Sequence, residues 1–218
     1  WTTWRTYPAP VLLLANSAVL LLPTLLIGAG YSHSDIYNFV WSGQFSKQML
    51  QGDVYPRWLA GSNDGLGSPT FYFYQPLAFY VAAAVNAIAF NSLSPVYQVG
   101  LATFAIMFAS GLAMFAWLRE QMDRSWALLG ALAYQAGPYH LVDHYVRGAF
   151  AEFTSFVFVP LVMLSLRRLA GAPATHIPLL ALSYAGLALS HLPVALLTTM
   201  LAPLYVLYLL AYHTADMR

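Results

Sequence analysis

Residues 95–118 read PVYQVGLATFAIMFASGLAMFAWL, a run of 24 residues without a charged side chain. A helix that crosses a lipid bilayer needs about 20 consecutive apolar residues, so this run predicts a membrane-spanning helix. The composition of the whole chain agrees, because 60% of its residues are hydrophobic and 8% are charged, whereas soluble domains carry about 25% charged residues. The sequence therefore predicts an all-α integral membrane protein.

Five further apolar stretches have the same character, and together they predict one membrane domain. The six predicted spans are residues 10–29, 95–118, 126–138, 152–168, 175–190 and 192–212. A seventh stretch, Pro76–Phe90, is short for a hydrocarbon layer about 30 Å thick. Whether this stretch crosses the membrane decides on which side every later segment lies.

The distribution of basic residues decides whether Pro76–Phe90 crosses, because short cytoplasmic loops collect lysine and arginine. If it does not cross, Lys47, Arg57 and Arg147 lie on one side of the membrane and all the other basic residues lie on the opposite side: Arg5, Arg119, Arg124, Arg167, Arg168 and Arg218. If it crosses, this asymmetry is reversed. We therefore predict an interfacial or re-entrant helix at 76–90 and a cytoplasmic N-terminus.

The outer side then receives a long loop, residues 30–94, with two juxtamembrane helices. Ser34 is a candidate cap for a helix over Asp35–Leu50, and Gly52 would end that helix. Asp35 follows the first predicted span within a few residues. Because a carboxylate at membrane depth is costly unless it is paired or used, the position of Asp35 favours a functional role.

A second polar stretch on the outer side covers residues 139–151. In a helix, Asp143 and Arg147 share a face because they lie four positions apart, and Glu152 begins the next span. This charge group is either a structural ion pair or part of a site. His140 and His144 have the same spacing, which suits a metal but also arises by chance.

Two observations exclude whole classes of function. The net charge of +1 gives no support for nucleic-acid binding, and the absence of cysteine excludes disulfides and thiolate chemistry. The chain starts at Trp1 and ends in a short polar stretch directly after an apolar segment. We therefore expect it to be a fragment of a longer protein.

Several motifs carry a resemblance to a known family. They are residues 32–35 (SHSD), 52–58 (GDVYPRW), 65–69 (GLGSP), 71–77 (FYFYQPL) and 145–152 (YVRGAFAE). Together they resemble the bacterial membrane proteins labelled 6-pyruvoyl-tetrahydropterin synthase-related, a branch of the GT-C glycosyltransferases. The resemblance implies transfer of a sugar from a polyprenyl-phosphate donor at the outer face of the bacterial inner membrane.

The resemblance also implies roles for individual residues. GT-C enzymes use an acidic residue just after the first span as a base or metal ligand, and Asp35 holds that position. Substrate-binding candidates are His33, Arg57, Tyr72, Tyr74, Asp143, Arg147 and Glu152. The metal is unknown, and participation of a divalent ion is left open.

The implied partners are membrane lipids, the polyprenyl-phosphate sugar and other membrane subunits. A different class of function is a non-catalytic membrane subunit, or a degenerate GT-C-like domain, that binds lipid or partner helices. A transporter with Asp143, Arg147 and Glu152 along its path is a weaker alternative, because these residues lie at a segment end.

Overall fold

The computed structural model describes residues 8–30, 32–171 and 173–216, with the backbone alone for 171, 173–174 and 212–216. Over these ranges the chain is helical and has no strands. The helices are α1 (Ala9–Leu20), α2 (Leu22–Ile27), α3 (Asp35–Leu50), α4 (Thr70–Phe73), α5 (Leu77–Ile88), α6 (Pro95–Leu118), α7 (Arg124–Gln135), α8 (Pro138–Val142), α9 (Phe150–Gly171), α10 (Pro173–Ser190) and α11 (Leu192–Asp216). Arg5 and Arg218 of the charge count lie outside the described residues.

Three of the described helices are long and apolar enough to cross a membrane. They are α6, α9 over Phe150–Ala170 and α11 over Leu192–Ala211. Shorter apolar helices occupy Ala9–Leu20, Leu77–Ile88 and Thr175–Ser190. α11 packs on α9 and α10 but is largely unburied, with Leu196, Met200 and Leu204 each more than half exposed. Such a surface suits hydrocarbon better than water.

Two of the predicted spans, residues 10–29 and 126–138, need correction. Residues 10–29 do not form one helix, because the chain breaks at Leu21 between α1 and α2. Pro23 has no N–H to continue the helical hydrogen-bond ladder, which explains a break at this point. The helix expected over 126–138 ends at Gln135 and is followed by Gly137 and a new helix at Pro138.

The long helices α6 and α9 define two ends of the molecule. At one end, Arg168 forms an ion pair of 2.9 Å with Glu120, and Arg167 Nε donates to the Glu120 carbonyl oxygen. At the other end lie the N-termini of both helices, with Glu152 in the first turn of α9. The 24 residues of α6 separate these ends by about 36 Å. We call them the arginine end and the acidic end.

Helices α3 and α5 lie against the acidic end. Ser46 of α3 donates to Gln98 of α6 at 2.9 Å. Phe79 near the start of α5 contacts Phe150 at 5.5 Å between ring centroids, and Asn86 near its end accepts a hydrogen bond from Leu93 N. Both ends of α5 are therefore tied to the same end of the bundle.

The helix α3 has the bounds that the sequence predicts, but its start is made differently. Ser34 precedes α3 without a side-chain capping bond. Instead, Asp35 Oδ2 accepts a hydrogen bond from Ser32 N at 2.8 Å. After α3, Gly52 adopts a φ of +97°, a conformation that glycine reaches without strain, and the chain turns into the loop 51–76.

Candidate active site

The site begins where the start of α3 meets the segment between α8 and α9. Residues Asp143–Arg147 form one π-helical turn that ends at Gly148 in the left-handed conformation. The backbone N–H groups of His33 and Ser34 donate to carbonyl oxygens of this turn, each at 3.1 Å. Asn38 Nδ2 donates to the Gly148 carbonyl oxygen at 2.7 Å, across 110 positions of sequence. Isolated π turns are frequent at functional sites.

Gly148 is the residue that lets the two segments approach. Its φ is +62°, and a Cβ atom there would overlap Ser32 Oγ and lie 2.9 Å from Asp35 Oδ1. A larger residue would therefore strain the backbone and displace the carboxyl group of Asp35. Steric exclusion therefore explains why a glycine occupies position 148 in the YVRGAFAE motif.

Three charged side chains of this segment and one tyrosine form a compact group that we call the acidic cluster: Tyr139, Asp143, Arg147 and Glu152. Arg147 Nη1 lies 2.6 Å from Asp143 Oδ1, and its Nη2 lies 2.7 Å from Glu152 Oε2. Tyr139 donates its hydroxyl to Glu152 Oε1 at 2.5 Å and accepts from Arg147 Nη1 at 2.9 Å. The prediction that Arg147 pairs with Asp143 or Glu152 is confirmed for both acids.

This double pairing limits what Arg147 can do. Two acidic side chains contact the single positive charge, and both Nη atoms already donate hydrogen bonds. A phosphate would have to displace one of these side chains. The Arg147 side chain is 43% exposed, so it can be reached from outside, but it is a weaker phosphate ligand than its residue type suggests.

Asp35 and residues of the 139–152 segment line a common cavity. Its walls include Asp35, Asn38, Asp143, His144 and Gly148. The cavity has a volume of about 10 Å³, which is the space of one water molecule. Asp35 is 3% exposed and Asp143 is 0% exposed, so both carboxyl groups are held away from bulk solvent.

Burial controls the protonation of this region. It raises the pKa of Asp143 to about 7; the Glu152 charge adds to this, and Arg147 opposes it. Burial also lowers the pKa values of His140 and His144 to about 4. Both imidazoles are therefore neutral at pH 7, and Arg147 is the one positive charge within the acidic cluster.

The two histidines do not form a shared metal site. His144 Nε2 pairs with Thr24 Oγ1 at 2.7 Å, while His140 packs against Phe156 and leaves its Nε2 without a partner among the described residues. No group of three or more potential ligand side chains occurs over 8–30, 32–171 and 173–216. The side chains described at this site do not fit a divalent metal.

The remaining candidates divide into two groups. Tyr74 is half-buried against Trp41, and its pKa is raised by burial and then by the charges of Asp143 and Glu152. Tyr74 therefore lies within electrostatic range of the acidic cluster. Arg57 lies instead over Tyr55 and Tyr72, at 4.9 and 5.8 Å from the ring centroids. The structure pairs Arg57 and Tyr72 with each other in the loop 51–76.

His33 has an exposed imidazole, 3.3 Å from Ser34 Oγ, and helps to hold the site through its backbone. Sequence reasoning missed the roles of Asn38, Ser32 and Tyr139. Asn38 lies three positions after Asp35 and hence on the same helical face, a signal that could have indicated it. Tyr139 carried no such signal, because its contact with Glu152 depends on the π turn between them.

Comparisons with protein-family models, with curated proteins and with solved structures gave no match to this chain.

Proposed function

We propose that the chain is the N-terminal membrane module of a GT-C-like glycosyltransferase in a bacterial inner membrane. It would transfer a sugar from a polyprenyl-phosphate donor at the outer face. The observation that supports this best is the convergence of Asp35 with Asp143, Arg147 and Glu152 at one end of the bundle. Charges at a membrane boundary are costly, so their collection from distant segments needs a reason.

The proposed topology has six spans and a cytoplasmic N-terminus. It places the arginine end inside, and the asymmetry of charge between the two ends supports this orientation. Because both ends of α5 contact the acidic end, α5 would lie at the interface without crossing.

Cysteine labelling tests this topology. The chain has no cysteine, so single cysteines placed at Ser92 and Ser125 show on which side of the membrane each position lies. We expect labelling from outside at Ser92 alone; labelling at Ser125 alone would reverse the orientation.

In the proposed mechanism Asp35 is the general base. It would accept the proton of the acceptor hydroxyl while the sugar leaves its phosphate. Tyr74, beside the acidic cluster, would contact the sugar. Because the present cavity admits a water but not a sugar, the loop 51–76 or the segment 139–149 would have to move before the acceptor reaches Asp35.

Arg57 is the better candidate for the donor phosphate. Its guanidinium stacks on two tyrosines and forms no ion pair with an acidic side chain in the part of the chain that the structure describes. An exposed arginine in this state can contact phosphate with two parallel hydrogen bonds. Arg57→Gln should raise KM for the donor at least tenfold with a smaller change in kcat. Arg124→Gln, at the arginine end, is the matched control.

The decisive experiment is Asp35→Asn in the full-length protein. The amide keeps the shape of the carboxylate but cannot accept the proton, so transfer from a polyprenyl-phosphate sugar should be lost while the protein still folds. Asp53→Asn in the exposed loop is the control. Transfer that survives Asp35→Asn would exclude Asp35 as the base.

A non-catalytic membrane subunit is the second candidate. Two observations favour it: the cavity beside Asp35 is water-sized, and Arg147 is already neutralised by two acids. In that case the acidic cluster fastens the 139–149 segment to α9, and the largely exposed α11 contacts lipid or partner helices. This alternative predicts that wild-type protein shows no transfer, whereas the enzyme proposal requires measurable transfer.

A further inference from the structure

The carboxyl group of Asp143 has two oxygens in very different states. Oδ1 accepts a hydrogen bond from Arg147 at 2.6 Å. Oδ2 is buried and has no hydrogen-bond partner within the described ranges, although Asp143 itself lines the cavity shared with Asp35. A buried polar atom without a partner costs about 1–3 kcal/mol, and more if it is charged. The cavity must therefore supply something to this oxygen.

The charges of the acidic side chains around the cavity also indicate that the cavity must supply a partner to Asp143. Three carboxyl groups, those of Asp35, Asp143 and Glu152, are each at most 8% exposed. Arg147 is the cation that contacts two of them. If all three acids were ionised, two negative charges would stay uncompensated in a site of low dielectric, which is strongly unfavourable.

The space available restricts what can correct this imbalance. A volume of about 10 Å³ admits one water-sized particle. A divalent cation would need more ligands than the two carboxylates here, because the described part of the chain contains no group of three potential ligands and His144 Nε2 is engaged by Thr24. A proton together with a water molecule needs no further ligand.

We propose that the cavity binds one water molecule and that Asp143 is protonated on Oδ2 at neutral pH. The Asp143 hydroxyl donates to the water, and the water donates to the carboxylate of Asp35. Asp35 Oδ2 also accepts a hydrogen bond from Ser32 N, and Asp35 begins the 16-residue helix α3, whose N-terminus favours negative charge. No bond other than that to the proton is formed or broken.

The groups that face Asp143 set the direction of its titration. Burial raises the pKa of Asp143 to about 7; the Glu152 charge acts in the same direction, and Arg147 opposes it. Asp35 and the neutral His144 face it across the cavity, and Tyr139 and Tyr74 lie near it as neutral groups. The proposal concerns the resting charge of the site, so it is independent of the glycosyltransferase activity.

Infrared spectroscopy of the full chain in lipid nanodiscs tests the proposal, because a protonated carboxyl group has a C=O band distinct from that of a carboxylate. We expect a protonated band that disappears with rising pH, with a midpoint near 7, and that is missing in Asp143→Asn. Glu152→Gln should move the midpoint to lower pH, and Arg147→Gln should move it to higher pH. These two variants keep the test valid if Asp143→Asn fails to fold.

The control is Asp53→Asn, which removes an exposed carboxyl group and should leave the band unchanged. Absence of the band in wild type one pH unit below the expected midpoint would overturn the proposal, as would a band that survives Asp143→Asn. Loss of the band on addition of excess Mn²⁺ at constant pH would also overturn it, because the cavity would then hold a cation.

Discussion

Two buried polar clusters of this molecule differ in charge and in how completely their atoms are bonded. The neutral cluster, formed by Asn16, Ser17 and Gln135, joins α1 and α7 to α6. Gln135 is 0% exposed, its Nε2 donates to Ser17 Oγ and to the Met107 carbonyl oxygen, and its Oε1 accepts from Asn16. The acidic cluster contains three charged residue types, Asp143, Arg147 and Glu152, and Asp143 Oδ2 has no hydrogen-bond partner in the part of the chain that the structure describes.

This difference indicates which cluster has a structural role and which is the better candidate for a functional site. A neutral amide whose atoms are all bonded fastens helices in an apolar environment at low cost. Gly111 makes room for it, because a Cβ atom there would overlap Gln135 Nε2. Buried charges with an orphaned atom cost more and contribute less to stability. A polar group that is retained despite its cost is the better candidate for a site.

The largest effect on stability is expected for Arg147→Gln, which breaks the acidic cluster. It leaves the Glu152 carboxylate without its cation and Asp143 Oδ1 without its donor, and removing one partner of a buried ion pair costs about 3–5 kcal/mol. Because Arg147 is 43% exposed, we expect a loss near the lower limit, about 3 kcal/mol. Denaturant unfolding in detergent micelles measures it. A loss below about 1 kcal/mol, the range of exposed pairs, would mean that the cluster is no more than a surface network.

The two clusters should respond differently to acidification, because the neutral cluster has no titratable group. His140 and His144 have native pKa values of about 4, so the unfolded chain binds more protons between pH 4 and 6.5, and stability falls as pH falls through this window. Asp143, with a raised pKa of about 7, acts in the opposite direction. Two histidines outweigh one acid, and the expected net loss from pH 7 to 4 is about 2 kcal/mol.

His140→Phe isolates one of these contributions. His140 packs against Tyr134, Phe153 and Phe156, and phenylalanine can occupy this aromatic site without an unbonded Nε2. Stability at pH 7 should be equal or higher, and the loss on acidification should become smaller. An unchanged pH dependence would show that His140 is not the buried group that titrates.

Gln135→Leu tests the neutral cluster. The change removes the hydrogen bonds to Ser17 and Met107 and leaves Asn16 with the Leu132 carbonyl oxygen as its acceptor, which should cost about 1–2 kcal/mol. The matched control is Gln121→Leu, an exposed glutamine beyond the end of α6, for which no loss is expected. The pH dependence of Gln135→Leu should equal that of wild type; a change would couple the two clusters.

The smallest effect is expected for Arg168→Gln at the arginine end. Its ion pair with Glu120 has the same length as many buried pairs, 2.9 Å, but the two side chains are 38% and 35% exposed. Exposed pairs contribute about 0–1 kcal/mol, so thermal unfolding should barely change. A loss equal to that of Arg147→Gln would mean that burial does not distinguish the two pairs.

The sequence by itself determined the features that depend on near neighbours. The bounds of α3 and α6 follow from a glycine stop and from an uninterrupted apolar run, and the pairing of Asp143 with Arg147 follows from helical spacing. These are local effects, set by backbone geometry and by the burial of consecutive residues.

Tertiary structure alone decided how the distant parts meet. The contact of His144 with Thr24, across 120 positions of sequence, depends on which helices pack together. The union of Asp35 with Asp143 depends on Gly148, whose missing side chain lets the start of α3 approach the π turn. Sequence spacing cannot give such contacts, because each side chain's burial and partners are set by residues a hundred or more positions away.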